Sequence, residues 1–173
     1  MGFTTGDKII YGGNGVCEIE DIKDISFCRG NAEKFYVLKQ MFVPRSNIIY
    51  VPFDNANQVS KFKKVISKKE AMAIISRIPI KGVEWIDDRN ARKAAFNEIL
   101  ASGSREEIVS MISLIESHRD ELAKEGKKLN AQDERVLVEA LRRINTEFAV
   151  ALNMMPDEVD KFIRDSKETA LAE

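Results

Sequence analysis

The chain changes texture near residue 65, and no single layer of one kind of element accommodates both sides of that change. Before it, aromatic and β-branched residues come in short runs, Lys8–Tyr11, Val16–Ile25, Lys34–Gln40 and Ser46–Val51. Turn clusters separate them: Gly12-Gly13-Asn14-Gly15, Arg29-Gly30-Asn31 and residues 43–47 around Pro44. Val16-Cys17-Glu18-Ile19-Glu20 alternates, giving one apolar and one wet face. Four or five short strands in about sixty residues predict a small, strongly curved sheet or barrel of SH3-like or Tudor-like size.

After residue 65 the signals are helical. Ser67-Lys68-Lys69-Glu70 has the pattern of a capping box, and Pro79 stops the helix it opens. A second helix starts around Trp85–Asp88 and ends at Ser102-Gly103, with the glycine expected in the left-handed C-cap conformation. Ser104-Arg105-Glu106-Glu107 is another capping box. It opens a helix with Ile108, Met111, Ile112, Ile115 and Leu122 on one face, running to about Gly126. Asn130 caps a fourth helix striped by Leu137, Leu141, Ile144, Phe148 and Leu152. Pro156 suits the first turn of a short fifth one containing Val159, Phe162 and Ile163. The expected fold class is α+β in two domains: a β domain over 1–64 and an all-α bundle of about five helices over 65–173.

With 44% hydrophobic and 32% charged residues, the chain is too apolar to be disordered, and no apolar run approaches the ~20 residues of a membrane span. The first residues do not resemble a signal peptide, because a charge comes early and no apolar stretch follows. A cytoplasmic protein is expected. Cys17 and Cys28 form no CxxC pair, and a single histidine cannot complete a zinc set, so both read as reduced thiols.

Charge is segregated. Between Lys61 and Lys93 ten Lys/Arg face four acids, whereas residues 94–173 hold eleven against seventeen and residues 1–60 six against seven. A net charge of −1 conceals a basic middle, which bears on partners. Within that stretch lies the only tryptophan, Trp85, with Arg89, Arg92 and Lys93 following at helical spacing. An aromatic ring beside cations suits a phosphate backbone and its bases. Lone tryptophans in helical bundles are, however, most often core residues. On the residues alone both readings stand. Lys61, Lys63, Lys64, Lys68 and Lys69 also fit a solvated linker.

Other motifs resolve to structure. Gly12-Gly13-Asn14-Gly15 is followed by a strand and lacks the lysine of a phosphate loop, so it reads as a hairpin turn needing positive φ. Asp87-Asp88 and Asp133-Glu134 read as acids at helix N-termini. His118 has no partner at catalytic or metal spacing and reads as a partly exposed helix residue. No Ser/His/Asp, Cys/His, HExxH or Walker pattern occurs. No enzymatic activity, metal, cofactor or small-molecule substrate is expected.

Taken in order, several motifs carry a resemblance. Phe3-x-x-Gly6-Asp7-x-Ile9-Ile10-Tyr11-Gly12-x-x-Gly15-Val16, then Ile49-Tyr50-Val51-Pro52, resembles the RNA-polymerase-interacting domain of the CarD family (CarD/CdnL type). A related domain occurs in transcription–repair coupling factor, whose ATPase motifs are absent here. Trp85-Ile86-x-Asp88-Arg89-x-Ala91-Arg92, Phe96-x-x-Ile99-Leu100-x-Ser102-Gly103 and Gly126-Lys127-Lys128-Leu129 with Asp133-Glu134 resemble the helical DNA-binding domain of the same family, in the form common in Firmicutes. The resemblance spans nearly the whole chain. It implies a β domain that holds the RNA polymerase β subunit through Tyr50, Ile49, Val51 and Pro52. It implies a helical domain on promoter DNA at the upstream edge of the transcription bubble. There Trp85 wedges into the minor groove, Arg89, Arg92, Lys93 and Lys81 touch the backbone largely without regard to sequence, and the open complex is stabilised. Two positions depart from the family pattern. Tyr50 stands where many relatives carry a basic residue before Val-Pro, so that contact differs in kind. Ser104 stands where aspartate is usual, and both residues cap helices.

Two other functions fit the same residues. A free-standing nucleic-acid-binding protein would bind isolated nucleic acid tightly. A protein–protein adaptor would use Trp85 as its anchor and leave DNA alone.

Overall fold

The computed structural model describes residues 2–172, apart from the side chain of Ala170. The chain divides into two compact units, 1–67 and 68–173.

The first unit is a five-stranded antiparallel sheet of β1 (Lys8–Tyr11), β2 (Val16–Ile25), β3 (Glu33–Gln40), β4 (Ile48–Pro52) and β5 (Phe62–Lys64), in spatial order β4-β3-β2-β1-β5. A four-residue helix, α1 (Ala56–Val59), capped by the Asn55 side chain, links β4 to β5. The β1–β2 connection is a 3-10 turn in which Gly12 and Gly15 take φ of 50° and 70°, as a hairpin of this shape requires. Strand β5 was not foreseen: two of the lysines read as linker, Lys63 and Lys64, lie on it, paired with β1 through Ile9↔Lys64, Ile10↔Lys63 and Tyr11↔Phe62, while Lys68 and Lys69 open α2. Phe62, packed edge-on against Phe3, Tyr11 and Tyr36, overrides the solvating tendency of its neighbours.

Ile9, Cys17, Ile19, Tyr36, Leu38, Val51 and Phe62 form the core of this unit. Each large apolar side chain buried there contributes about 1.5–3 kcal/mol. Between Ile19 and Asp21 the β2–β3 register slips by a residue: Ile19 faces Leu38, but Asp21 faces Val37. This bulge brings Ile22 back to the core side after Cys17 and Ile19. Strict alternation would have sent it outward.

The second unit holds α2 (Lys68–Ser76), α3 (Arg89–Ser102), α4 (Arg105–Lys124), α5 (Ala131–Leu152) and α6 (Pro156–Ala172). Ser104 and Glu107 make the complete capping box, with bonds of 3.1 and 2.7 Å. Asn130 caps α5 by accepting from the Gln132 and Asp133 amides. The apolar stripes meet in a core that includes Phe96, Met111, Ile115, Leu137, Phe148 and Val159. Gly103 departs from expectation: its φ of −66° and ψ of 153° lie in the extended region and not the left-handed one. Its requirement is space: a Cβ there would lie 2.5 Å from the Ile99 carbonyl oxygen. Helix α6 spans seventeen residues, longer than the short helix anticipated.

Candidate nucleic-acid interface

Trp85 lies on an irregular segment between α2 and α3, and α3 begins only at Arg89. Asp88 sets that start: its carboxylate accepts from the Ala91 amide at 2.8 Å, satisfying one of the open donors of the first turn. The indole therefore does not share a helical face with Arg89, Arg92 and Lys93, as the spacing had suggested. It nevertheless meets α3. The Arg92 guanidinium carbon lies over the ring, 4.4 Å from its centre, and Phe96 abuts it edge-on at 6.2 Å. The His118 imidazole of α4 stacks on it at 3.8 Å and 21°. The ring is half-buried, neither enclosed in the bundle core nor free of it.

Arg92 is the principal correction. The sequence placed it among the phosphate contacts, but its side chain is only about 6% exposed. Nε and Nη2 donate to the two carboxylate oxygens of Asp133, at 3.1 and 2.8 Å. Nη1 donates to the carbonyls of Ile86 and Asp87, at 2.8 and 3.2 Å. Four of its five N–H groups are committed within the fold, so it is not a backbone grip. Asp133 is likewise more than a helix-start acid. Its side chain is 1% exposed and also accepts from the side-chain Nδ2 of Asn130 at 2.5 Å. Arg89, Lys93 and Lys81 are exposed and remain available to phosphates.

The anchors of the loop are long-range. The Val83 amide donates to the Ser110 hydroxyl of α4 at 3.0 Å, and Ser110 is buried. Nothing in local spacing announces Ser110, His118 or Asp133 as partners of this loop. The one available signal was the residue type: a planar guanidinium and a carboxylate suit a two-toothed pair. Two residues before His118, burial pushes the Glu116 carboxyl above its usual range, against the lowering effect of Arg119.

In the first unit β4 is an edge strand, paired with β3 alone through Val37↔Tyr50 and Tyr36↔Val51. The resemblance also implied Val51 as a partner contact, but the residue is fully buried; Ile49 packs against the same core. Tyr50 is 42% exposed and Pro52 half-buried. Tyr50 packs edge-on at 5.1 Å against Phe27, which is 60% exposed and was not anticipated. An edge strand flanked by exposed aromatic rings has the form that strand pairing with a partner uses.

A small antiparallel sheet with an open edge is a form suited to docking protein segments. Residues 3–63 match the family model of the CarD-like/TRCF RID domain. The first unit is thus a CarD-like RNA-polymerase-interacting domain. No curated protein matches the chain. Among the described residues no helix is long and apolar enough to cross a membrane.

Proposed function

We propose that this protein holds the β subunit of RNA polymerase through the β4 edge and uses the helical unit to stabilise the open promoter complex, with Trp85 entering the minor groove at the upstream edge of the bubble. The observation that supports this most directly is Trp85 itself: a half-buried ring on a loop, fixed from several sides, with exposed Arg89 and Lys93 just beyond it.

Parting stacked bases in intact duplex costs a few kcal/mol. At a bubble edge the stack is already broken, so the ring gains there what it cannot gain in the closed complex. Only that difference shifts the equilibrium; about 1.4 kcal/mol changes the open-to-closed ratio tenfold. Because His118 and Arg92 already lie on the indole, the ring acts through its uncovered edge, as a wedge, more than as a platform between two bases. Arg89, Lys93 and Lys81 hold phosphates without reading sequence. Binding to free DNA is weak, and docking through the first unit supplies the local concentration.

The test is Trp85→Ala in a promoter-dissociation assay. The expected result is a folded, polymerase-bound variant with a shortened open-complex lifetime; an unchanged lifetime refutes the reading. For the docking half, residues 1–67 form a compact unit of their own. That fragment, if folded, should co-purify with the polymerase β subunit, and its failure to do so counts against the assignment.

A further inference from the structure

Trp85 sits on a segment with neither helix nor strand, where chain entropy works against any single ring position. Yet the segment is tied on both sides of the indole. Before it, the Val83 amide bonds to buried Ser110 of α4. After it, the carbonyls of Ile86 and Asp87 both accept from Arg92 Nη1. The same guanidinium lies over the indole, and its plane is set by two bonds to Asp133 of α5, which Asn130 orients in turn. One cation thus fixes the loop backbone and the ring together. Lysine has neither the fork nor the flat face to do both.

A buried ion pair is weak evidence of a stabilising device, since a well-packed apolar pair of similar volume often serves stability equally well. What the apolar pair lacks is the means to hold two carbonyls and a π face in register. We infer that Arg92 and Asp133 are positioning residues for Trp85, preorganising the loop so that little ordering cost remains when the ring meets DNA. The positioning itself stands on the contacts within the helical unit; its benefit to DNA binding rests on the function proposed above.

Trp85 is the only tryptophan, so intrinsic fluorescence reports on it alone. Three variants of the full chain separate the roles. Arg92→Lys keeps the charge and loses the fork. Asp133→Asn keeps the shape and loses the charge. The pair Arg92→Met with Asp133→Leu removes both charges together. Cooperative melting identifies the folded variants. In these, the expected result is a shifted Trp85 emission and increased quenching by acrylamide. Open-complex lifetime falls towards that of Trp85→Ala, and with Arg92→Lys the salt dependence is unchanged. Folded variants with wild-type quenching overturn the inference. So does an Arg92→Lys protein indistinguishable from wild type while the apolar pair lowers the salt slope by about 1, the mark of a lost phosphate contact. Unfolding of all three variants assigns the pair to stability and also overturns it. If quenching rises but Trp85→Ala itself leaves the open complex untouched, positioning stands and the DNA wedge falls.

Discussion

Arg92 reaches across forty-one residues of chain to close a two-toothed ion pair on Asp133, with bonds of 3.1 and 2.8 Å. A pair so dry has an asymmetric energetics. Removing one partner strands a charge where water cannot reach it, whereas removing both strands no charge and leaves unpaired only the Ile86 and Asp87 carbonyls and the Asn130 side-chain amide.

Arg92→Ala should therefore destabilise the protein by about 3–5 kcal/mol, while Arg92→Met combined with Asp133→Leu should cost clearly less, since it leaves no buried charge unpaired and forfeits only the bonds to Ile86, Asp87 and Asn130. Urea denaturation of the three proteins checks the contrast, and equal losses in the single and double variants would contradict it.

Arg89, Lys93 and Lys81 are exposed, so their loss is expected to act on binding and to spare the fold. Each change to Gln should reduce the salt slope of promoter-complex formation by about 1, uniformly across promoter sequences. Measuring the logarithm of the binding constant against that of salt concentration decides which of the three touch phosphates.

The two cysteines should react differently. Burial pushes the Cys17 thiol up to about 11, so at neutral pH it stays protonated as well as inaccessible. Cys28 is exposed. Alkylation of the native protein should label Cys28 promptly and Cys17 only on unfolding, and mass spectrometry of the labelled peptides reads the result. Rapid native labelling of Cys17 would contradict its placement in the sheet core.

Acid should weaken the helical unit partly through Glu139. Hydrogen bonds from Arg142 and then Arg143 hold its carboxyl below the usual range, while partial burial works the other way. A carboxyl depressed in the folded state contributes stability above its unfolded value and loses it as pH falls through the lowered folded value. Glu139→Gln should flatten that acid limb of the stability curve. The side chain is about a third exposed, so solvent screening keeps the effect small.

Much of the architecture was legible because its determinants are local. Asn130, Ser104 and Asp88 have the chemistry of helix starts and act as such. The alternation in Val16–Glu20 identified the inner face of β2. What was missed depends on distance along the chain. Phe62 becomes a strand residue only because Tyr36 and Tyr11 come to meet it. His118 had no partner in spacing because its partner, Trp85, lies on a loop before another helix. Arg92 and Lys93 are adjacent and equally charged, yet one is buried on Asp133 and the other faces solvent. A heptad count cannot separate them when the carboxylate that decides the matter is forty-one residues away.

The extra residue in β2 between Ile19 and Asp21 sets a rule of parity for that strand. Deleting Glu20 would let plain alternation keep Ile22 on the core face, whereas smoothing the bulge out with Glu20 still present would turn the distal half of the ribbon over and expose Ile22 to solvent. Loss of one residue should thus be admissible at the bulge and excluded elsewhere along the strand.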